Sequence, residues 1–135
     1  MKICVSAMAN SLDAQVDPRF GRCQYFIIVD SETMQFEAIS NMASDAISGA
    51  GIQAAQNIVN RKVDVLITGN VGPNAFQVLS SAGIKVVPNV FGTVREVVEG
   101  YKRGEYEATK GPTVSGHFGT GGGRGRGRRG GRWND

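Results

Sequence analysis

Residues 17–23 read DPRFGRC, so two guanidinium groups and a thiol fall within five positions, around one aromatic residue and one glycine. Arginine carries a fixed positive charge on a fork of donors, and a cysteine thiolate is a soft metal ligand. Arg19, Arg22 and Cys23 together suit an anionic sulfur-containing cluster, the arginines offsetting its charge and the thiolate ligating a metal. A structural reading competes with this one. Phe20 then anchors the loop, Gly21 turns it, and Cys23 is a small buried residue, as free cysteines often are. Cys4 is assigned to the core on the same ground.

Two glycine-rich stretches offer backbone chemistry instead. In GNVGPN, residues 69–74, the N–H groups around Gly69, Asn70, Gly72 and Asn74 can form a nest for an anion, assisted by the dipole of the helix that follows. Alternatively, the two asparagines hydrogen-bond their own backbone. GAG at 49–51 places Gly49 and Gly51 at the start of a periodic apolar segment. There, contact of a helix start with an anion or cluster competes with close packing of the helix on a sheet. GAGIQAA matches G-x-G-x-x-A only superficially, because a dinucleotide fingerprint follows a strand directly and is followed by an acidic residue on a second strand. GNVGPN also lacks the Lys-Ser/Thr ending of a nucleotide-binding P-loop. The single histidine, His117, lies in a glycine-rich tail, and Cys-x-x-Cys, His-Glu-x-x-His and Gly-x-Ser-x-Gly are all missing. The chain is therefore expected to bind rather than catalyse.

These segments need a frame. KICVSAM reads as a strand with Ile3 and Val5 on one face and Cys4 on the other, and QYFIIVD as a stronger one. Polar residues 30–33 lead into MQFEAIS, which alternates Met34, Phe36 and Ala38 against Gln35, Glu37 and Ile39. A hairpin whose second strand lies at a sheet edge follows. Ser48 is placed as the cap of a helix over 49–61 with Ile52, Ala55 and Val59 inward. DVLIT reads as a buried strand. PNAFQVLSSAG then forms a helix with Pro73 in its first turn, Phe76, Leu79 and Ala82 inward, and Gly83 as its end. IKVVP is the fifth strand, and TVREVVEGYKRG a final helix with a capping box from Thr93 and Glu96.

The order β-β-β-α-β-α-β-α predicts an α/β fold, a mixed five-stranded sheet with three helices. Ligands of such sheets bind outside the carboxyl ends of the parallel strands, where both the 69–74 loop and the loop after the first strand fall. With 41% hydrophobic residues in 135, one domain with a modest core is expected. Two cysteines are too few for a disulfide scaffold. No secretory signal is read at the start, and no apolar run approaches the roughly 20 residues that span a bilayer. A cytoplasmic protein with reduced thiols and no membrane contact is the expectation.

MKICVSA, DPRFGRCQYFIIVD, GAGIQAAQNIV, VDVLITGNVGPNAFQVLSSAGIKV and TVREVVEGYKRGE, in this order, resemble the dinitrogenase iron–molybdenum cofactor biosynthesis family over residues 1–107. The resemblance implies a ribonuclease-H-like sheet without nuclease activity. It also implies a non-enzymatic carrier of an iron–sulfur or molybdenum–iron–sulfur cluster or its precursor, with cofactor-assembly proteins as partners. The residues singled out above (Arg19, Arg22, Cys23, Gly49, Gly51, Gly69, Asn70, Gly72 and Asn74) become its expected cluster contacts, with Cys23 the expected metal ligand. A metal-free scaffold or regulatory module is the alternative.

The net charge of +3 is unevenly placed. Residues 1–110 hold ten Lys or Arg against eleven Asp or Glu, a net of −1, while residues 111–135 hold five Arg and one Asp, a net of +4. Residues 108–135 are expected to form a disordered Gly/Arg-rich tail, since SGHFGTGGGRGRGRRGGRWND offers almost nothing to a core. It reads as a solubilising extension, as a docking segment for an acidic protein, or as a weak nucleic-acid contact with Trp133 available for stacking. Nucleic-acid binding by the tail is expected to be nonspecific and to fall steeply with salt. Replacing Arg124, Arg126, Arg128, Arg129 and Arg132 by Gln in the full chain should abolish such binding in a salt-series titration. Binding that is unchanged would locate the contact on the core.

Overall fold

The computed structural model describes residues 1–44, 46 and 49–113. Ser48, His117, Trp133 and the arginines of the tail lie outside the described residues. The chain runs through β1 (Lys2–Ala7), β2 (Tyr25–Asp30), β3 (Phe36–Ser40), α1 (Ala50–Asn60), β4 (Val65–Ile67), α2 (Pro73–Ser81), β5 (Lys85–Val87) and α3 (Val94–Lys102). The element order is the one read from periodicity. Among the described residues, no helix is long and apolar enough to cross a membrane.

β1 is the centre of the sheet because both its faces are apolar. It pairs antiparallel with β2, Cys4 opposite Ile28, and parallel with β4, Cys4 opposite Leu66. β4 pairs parallel with β5, giving the ribonuclease-H-like order β3-β2-β1-β4-β5. Alternation on β1 sends Ile3, Val5 and Ala7 into one core with Val94, Val97 and Val98 of α3. Cys4 goes to the other face, with Phe26, Leu66 and Val86, under Ala54 and Ile58 of α1 and Leu79 of α2. Three layers result. β3 forms the expected edge and is exposed or half-buried along its length. It starts at Phe36, because Met34 adopts φ 63 in the turn and its N–H donates to Asp30 O at 2.8 Å.

Helix faces depart from expectation where small residues decide the approach. The buried side of α1 is Ala50, Ala54, Ala55 and Ile58, while Ile52 and Val59 are half-buried. On α2, Ala75 and Leu79 are buried, Phe76 is half-buried and Ala82 is an exposed C-cap. Alanines let the two helices sit close to the sheet and to each other, which rotates the larger apolar residues outward. α3 keeps its predicted start: Thr93 Oγ1 accepts from Glu96 N–H at 3.1 Å, and Glu96 Oε1 accepts from Thr93 N–H at 2.9 Å. Beyond α3 the contacts continue past residue 107. Thr109 N–H donates to Val86 O on the outer edge of β5 at 2.7 Å, and Thr113 reaches Val71.

The loop after β1 is locked to the rest of the carboxyl end by close main-chain contacts. Asp17 N–H donates to Ser6 O at 2.8 Å, and Ser6 Oγ donates back to Asp17 O at 2.7 Å. With its one hydrogen used there, Ser6 Oγ accepts from Thr68 Oγ1 at 2.7 Å. Asn70 N–H donates to Pro18 O at 2.8 Å, and a Cβ on Gly69 would overlap the Pro18 backbone, 2.6 Å from its carbonyl oxygen. A Cβ on Gly21 would lie 2.9 Å from Gly51 N and 3.0 Å from Gly51 Cα, against backbone that cannot yield. On Gly51 the same addition would meet only Ala75 Cβ, at an ordinary 3.5 Å. Gly21→Ala should therefore destabilise the fold by about 1–3 kcal/mol through overpacking. Gly51→Ala should leave stability unchanged or raise it by up to about 1 kcal/mol, as glycine is a poor helix former. Urea unfolding of the two variants checks the contrast, and equal midpoints would show that the loop does not bear on α1.

Candidate functional site

The loops converge on a cavity of about 260 Å³ at the carboxyl end of the sheet. Its walls are Gly49, Ala50, Gly51 and Ile52 at the start of α1, and Asn70, Gly72, Pro73, Asn74 and Ala75 around the start of α2. Phe20 and Gly21 of the β1–β2 loop complete it. Every lining side chain is uncharged.

Both helices begin here without a side-chain cap and without an acidic residue in the first turn. The first intrahelical bond of α1 runs from Gln53 N–H to Gly49 O, and that of α2 from Phe76 N–H to Gly72 O, each 3.0 Å. The N–H groups of Ala50, Gly51, Ile52, Asn74 and Ala75 therefore have no helical acceptor, while Pro73 has no N–H to satisfy. Two helix starts, each equivalent to about half a positive charge, thus face one space. Such walls suit an anion with several acceptor atoms. Gly49 sits at φ 74, so a left-handed turn delivers the chain into α1.

Five of the expected contacts line the cavity: Gly49, Gly51, Asn70, Gly72 and Asn74. Gly69 instead backs the loop against Pro18. Arg19 turns to the buried Asp17, donating from Nε to Oδ1 at 3.2 Å and from Nη2 to Oδ2 at 3.1 Å. The Asp17 side chain is 1% exposed and that of Arg19 63%, so the arginine covers a carboxylate that would otherwise be buried without a charged partner. Arg22 Nη1 donates to Ser44 O at 2.9 Å and Ala46 O at 2.6 Å, bracing the segment that leads to α1.

Cys23 lies apart from the cavity. Its thiol is buried in the core beneath the helices, with Sγ donating to Phe20 O at 3.3 Å, and it is not among the cavity walls. Burial, reinforced by the charge of Asp17, pushes the Cys23 thiol up to about 12. Burial, with the neighbouring Cys23, also raises Cys4 well above the usual thiol range. A thiolate ligand needs access and a charged sulfur, and this environment opposes both. Among the described residues, no group of three or more His, Cys, Asp or Glu is disposed to hold a metal ion. The donors present fit an anion held by hydrogen bonds and do not fit thiolate ligation.

Phe20, Gly21, Ala50, Ile52, Pro73 and Ala75 complete the walls and were not expected contacts. For Pro73 and Ala75 the readable signal was the helix start of α2, with glycine at the cap and Pro73 at the first position.

The mixed sheet and its three helices define a small α/β domain. The chain belongs to the dinitrogenase iron-molybdenum cofactor family, whose sequence pattern matches residues 1–104. It is 31% identical over 111 residues to an uncharacterized protein of Methanocaldococcus jannaschii, covering 79% of this chain and 94% of that protein. Among solved structures, it is similar to the apo form of the orange protein from Desulfovibrio gigas, with 43% identity and a TM-score of 0.81 over 84% of this chain and 96% of that one. It is also similar to a putative NifB protein from Thermotoga, with 36% identity and a TM-score of 0.69 over 79% and 91%.

Neither thiol should react with iodoacetamide in the native protein at pH 8, since both are buried and protonated there. Both should react once the chain is unfolded. Mass spectrometry showing rapid native labelling of Cys23 would place that sulfur at the surface, within reach of a metal.

Proposed function

We propose that this protein is a non-enzymatic carrier that holds an anionic iron–sulfur or molybdenum–iron–sulfur cluster, or its precursor, as cargo in the cavity between α1 and α2. The observation that carries this reading is the convergence of two uncapped helix starts on one space. Bridging sulfides on such a cluster are acceptors, and the first turns in the walls hold main-chain N–H groups with no helical acceptor to compete for them. Hydrogen bonds to a charged partner contribute about 1.5–3 kcal/mol each, and a few suffice to retain a small anion. At about 30 Å³ per water, the cavity has room for roughly nine waters, the scale of a compact inorganic group.

Family membership supports metal-cluster handling, and the Desulfovibrio gigas relative was solved in an apo form, which implies a group that protein binds. Cargo held without a metal–sulfur bond to the chain can be passed on without ligand exchange, which suits transfer between cofactor-assembly proteins. The walls supply no titratable side chain for acid–base chemistry, in keeping with a binding role.

Anaerobic reconstitution with iron and sulfide, with and without molybdate, should give a stoichiometric visible chromophore with acid-labile sulfide. Cys23→Ala should keep it. Asn74→Asp should lower loading by about tenfold or more, because the carboxylate competes for the N–H groups and repels the cargo. The same carboxylate in the first turn of α2 should leave the thermal midpoint unchanged or higher. Loss of the chromophore in a folded Cys23→Ala chain would return that thiol to the ligand set. Absence of metal from every chain would favour a metal-free scaffold or regulatory module.

A further inference from the structure

Val71 stands between Asn70 and Gly72, two residues of the cavity wall, and its side chain is buried in the core under α1 and α2. Its main chain is fastened outward to Thr113 by three hydrogen bonds. Thr113 N–H donates to Val71 O at 3.0 Å, Thr113 Oγ1 accepts from Val71 N–H at 2.8 Å, and the same hydroxyl donates to Val71 O at 3.2 Å. The preceding residue bonds in the other direction: Asn70 N–H donates to Pro18 O at 2.8 Å, and Asn70 forms a parallel bridge with Arg19. Peptide groups along this rim thus alternate between the strap on one side and the Pro18 loop on the other.

This alternation decides where one further donor points. In a planar trans peptide the C=O and the following N–H lie on opposite sides. The two bonds from Thr113 to Val71 O therefore aim the Gly72 N–H away from the strap, toward the loop whose Phe20 and Gly21 line the cavity. Among the described residues, no protein group accepts from that N–H. We propose that Thr113 is a positioning residue for the anion site, holding the Gly72 N–H in the direction from which cargo is met; the inference rests on the carrier reading above. Water could satisfy the same two groups of Val71, but it would not fix their direction. Threonine is stiff at χ1, so its hydroxyl and its N–H act as two set points. The strap that carries it is itself anchored. Tyr106 packs on α3 so closely that a Cβ on Gly100 would lie 2.7 Å from its ring. Thr109 N–H donates to Val86 O at 2.7 Å, and Thr109 Oγ1 donates to Gly111 O at 3.0 Å. Thr113 lies beyond the residues matched by the family pattern, so this support is added to the shared domain.

The test uses full-length chains and tetrathiomolybdate, a small anion of molybdenum and sulfide, titrated anaerobically by visible absorbance, with amide exchange followed by NMR. Thr113→Val keeps the side-chain shape and the N–H bond but removes both hydroxyl bonds. It should bind about tenfold more weakly, the effect of losing one hydrogen bond to a charged group. Exchange at Val71 should quicken while that of α2 stays as in the parent. Thr113→Ser, which restores the hydroxyl, should bind like the parent. Equal affinity in the parent and Thr113→Val would overturn the positioning role and leave the cavity reading standing. Equally weak binding by Thr113→Ser would overturn it too, since the hydroxyl would not be the cause. A loss of affinity accompanied by faster exchange throughout α2 would show general loosening of the fold, and the role would fall on that result as well. No binding by the parent would overturn both this role and the carrier reading.

Discussion

The carboxyl end of this sheet is organised by a passage too narrow for side chains. The segment from Pro18 to Gly21 runs between the main chain after β4 and the main chain that opens α1, touching Gly69 on one side and Gly51 on the other. Both contacts are backbone to backbone, so neither can relax by a change of rotamer. The Ser6–Asp17–Thr68 bonds tie the same loop to two neighbouring strands from beneath. Three separate pieces of chain are thereby held in a single relative position, and the cavity is the space left between them. Its shape depends on main-chain geometry more than on the identity of any projecting side chain.

The three helix starts show what this frame is used for. α3 begins with both halves of a capping box, so its sequence can satisfy a terminus where none is needed for binding. α1 and α2 begin with glycine and no side-chain acceptor, and both begin at the cavity. A glycine cap costs only about a few tenths of a kcal/mol against a Ser or Asn cap, so two starts whose N–H groups have no capping side chain are cheaply kept in one place. The arginines first suspected of neutralising a ligand are occupied elsewhere. Arg19 satisfies the buried carboxylate of Asp17 and Arg22 gathers two carbonyls ahead of α1, so both serve the walls by holding the chain that builds them.

Much of the architecture was legible in the sequence because alternation on KICVSA, the continuous apolar run of DVLIT and the Thr93–Glu96 pair are local signals. The edge position of β3 followed from Gln35 and Glu37 in the same way. The inner face of α1 was misread because Ile52 and Val59 are larger than the alanines that set the helix approach, and size is a poor guide where closeness decides. Glycine content drew attention to Gly49, Gly51, Asn70, Gly72 and Asn74, which the fold brings to one cavity. It could not separate them from Gly69, whose constraint comes from Pro18, fifty-one positions away. The burial of Cys23 was hidden from the sequence for a similar reason. Its spacing from the arginines is a property of the chain, whereas burial beneath α1 and α2 is a property of the packed sheet, and only burial sets the state of the sulfur.

On the carrier reading, the chemistry of the walls constrains how affinity can be controlled. Main-chain N–H groups do not titrate in the physiological range, and the rigid passage around Pro18 and Gly21 leaves them little freedom to withdraw. The cavity floor therefore binds with nearly constant strength. Variation must enter from the open side, where the contacts are side chains and solvent. The strap from α3 borders that side, because Thr109 covers the edge of β5 and Thr113 is bonded to Val71 between two residues of the rim, so the rim is held from the outer edge of the sheet as well as from the Pro18 loop.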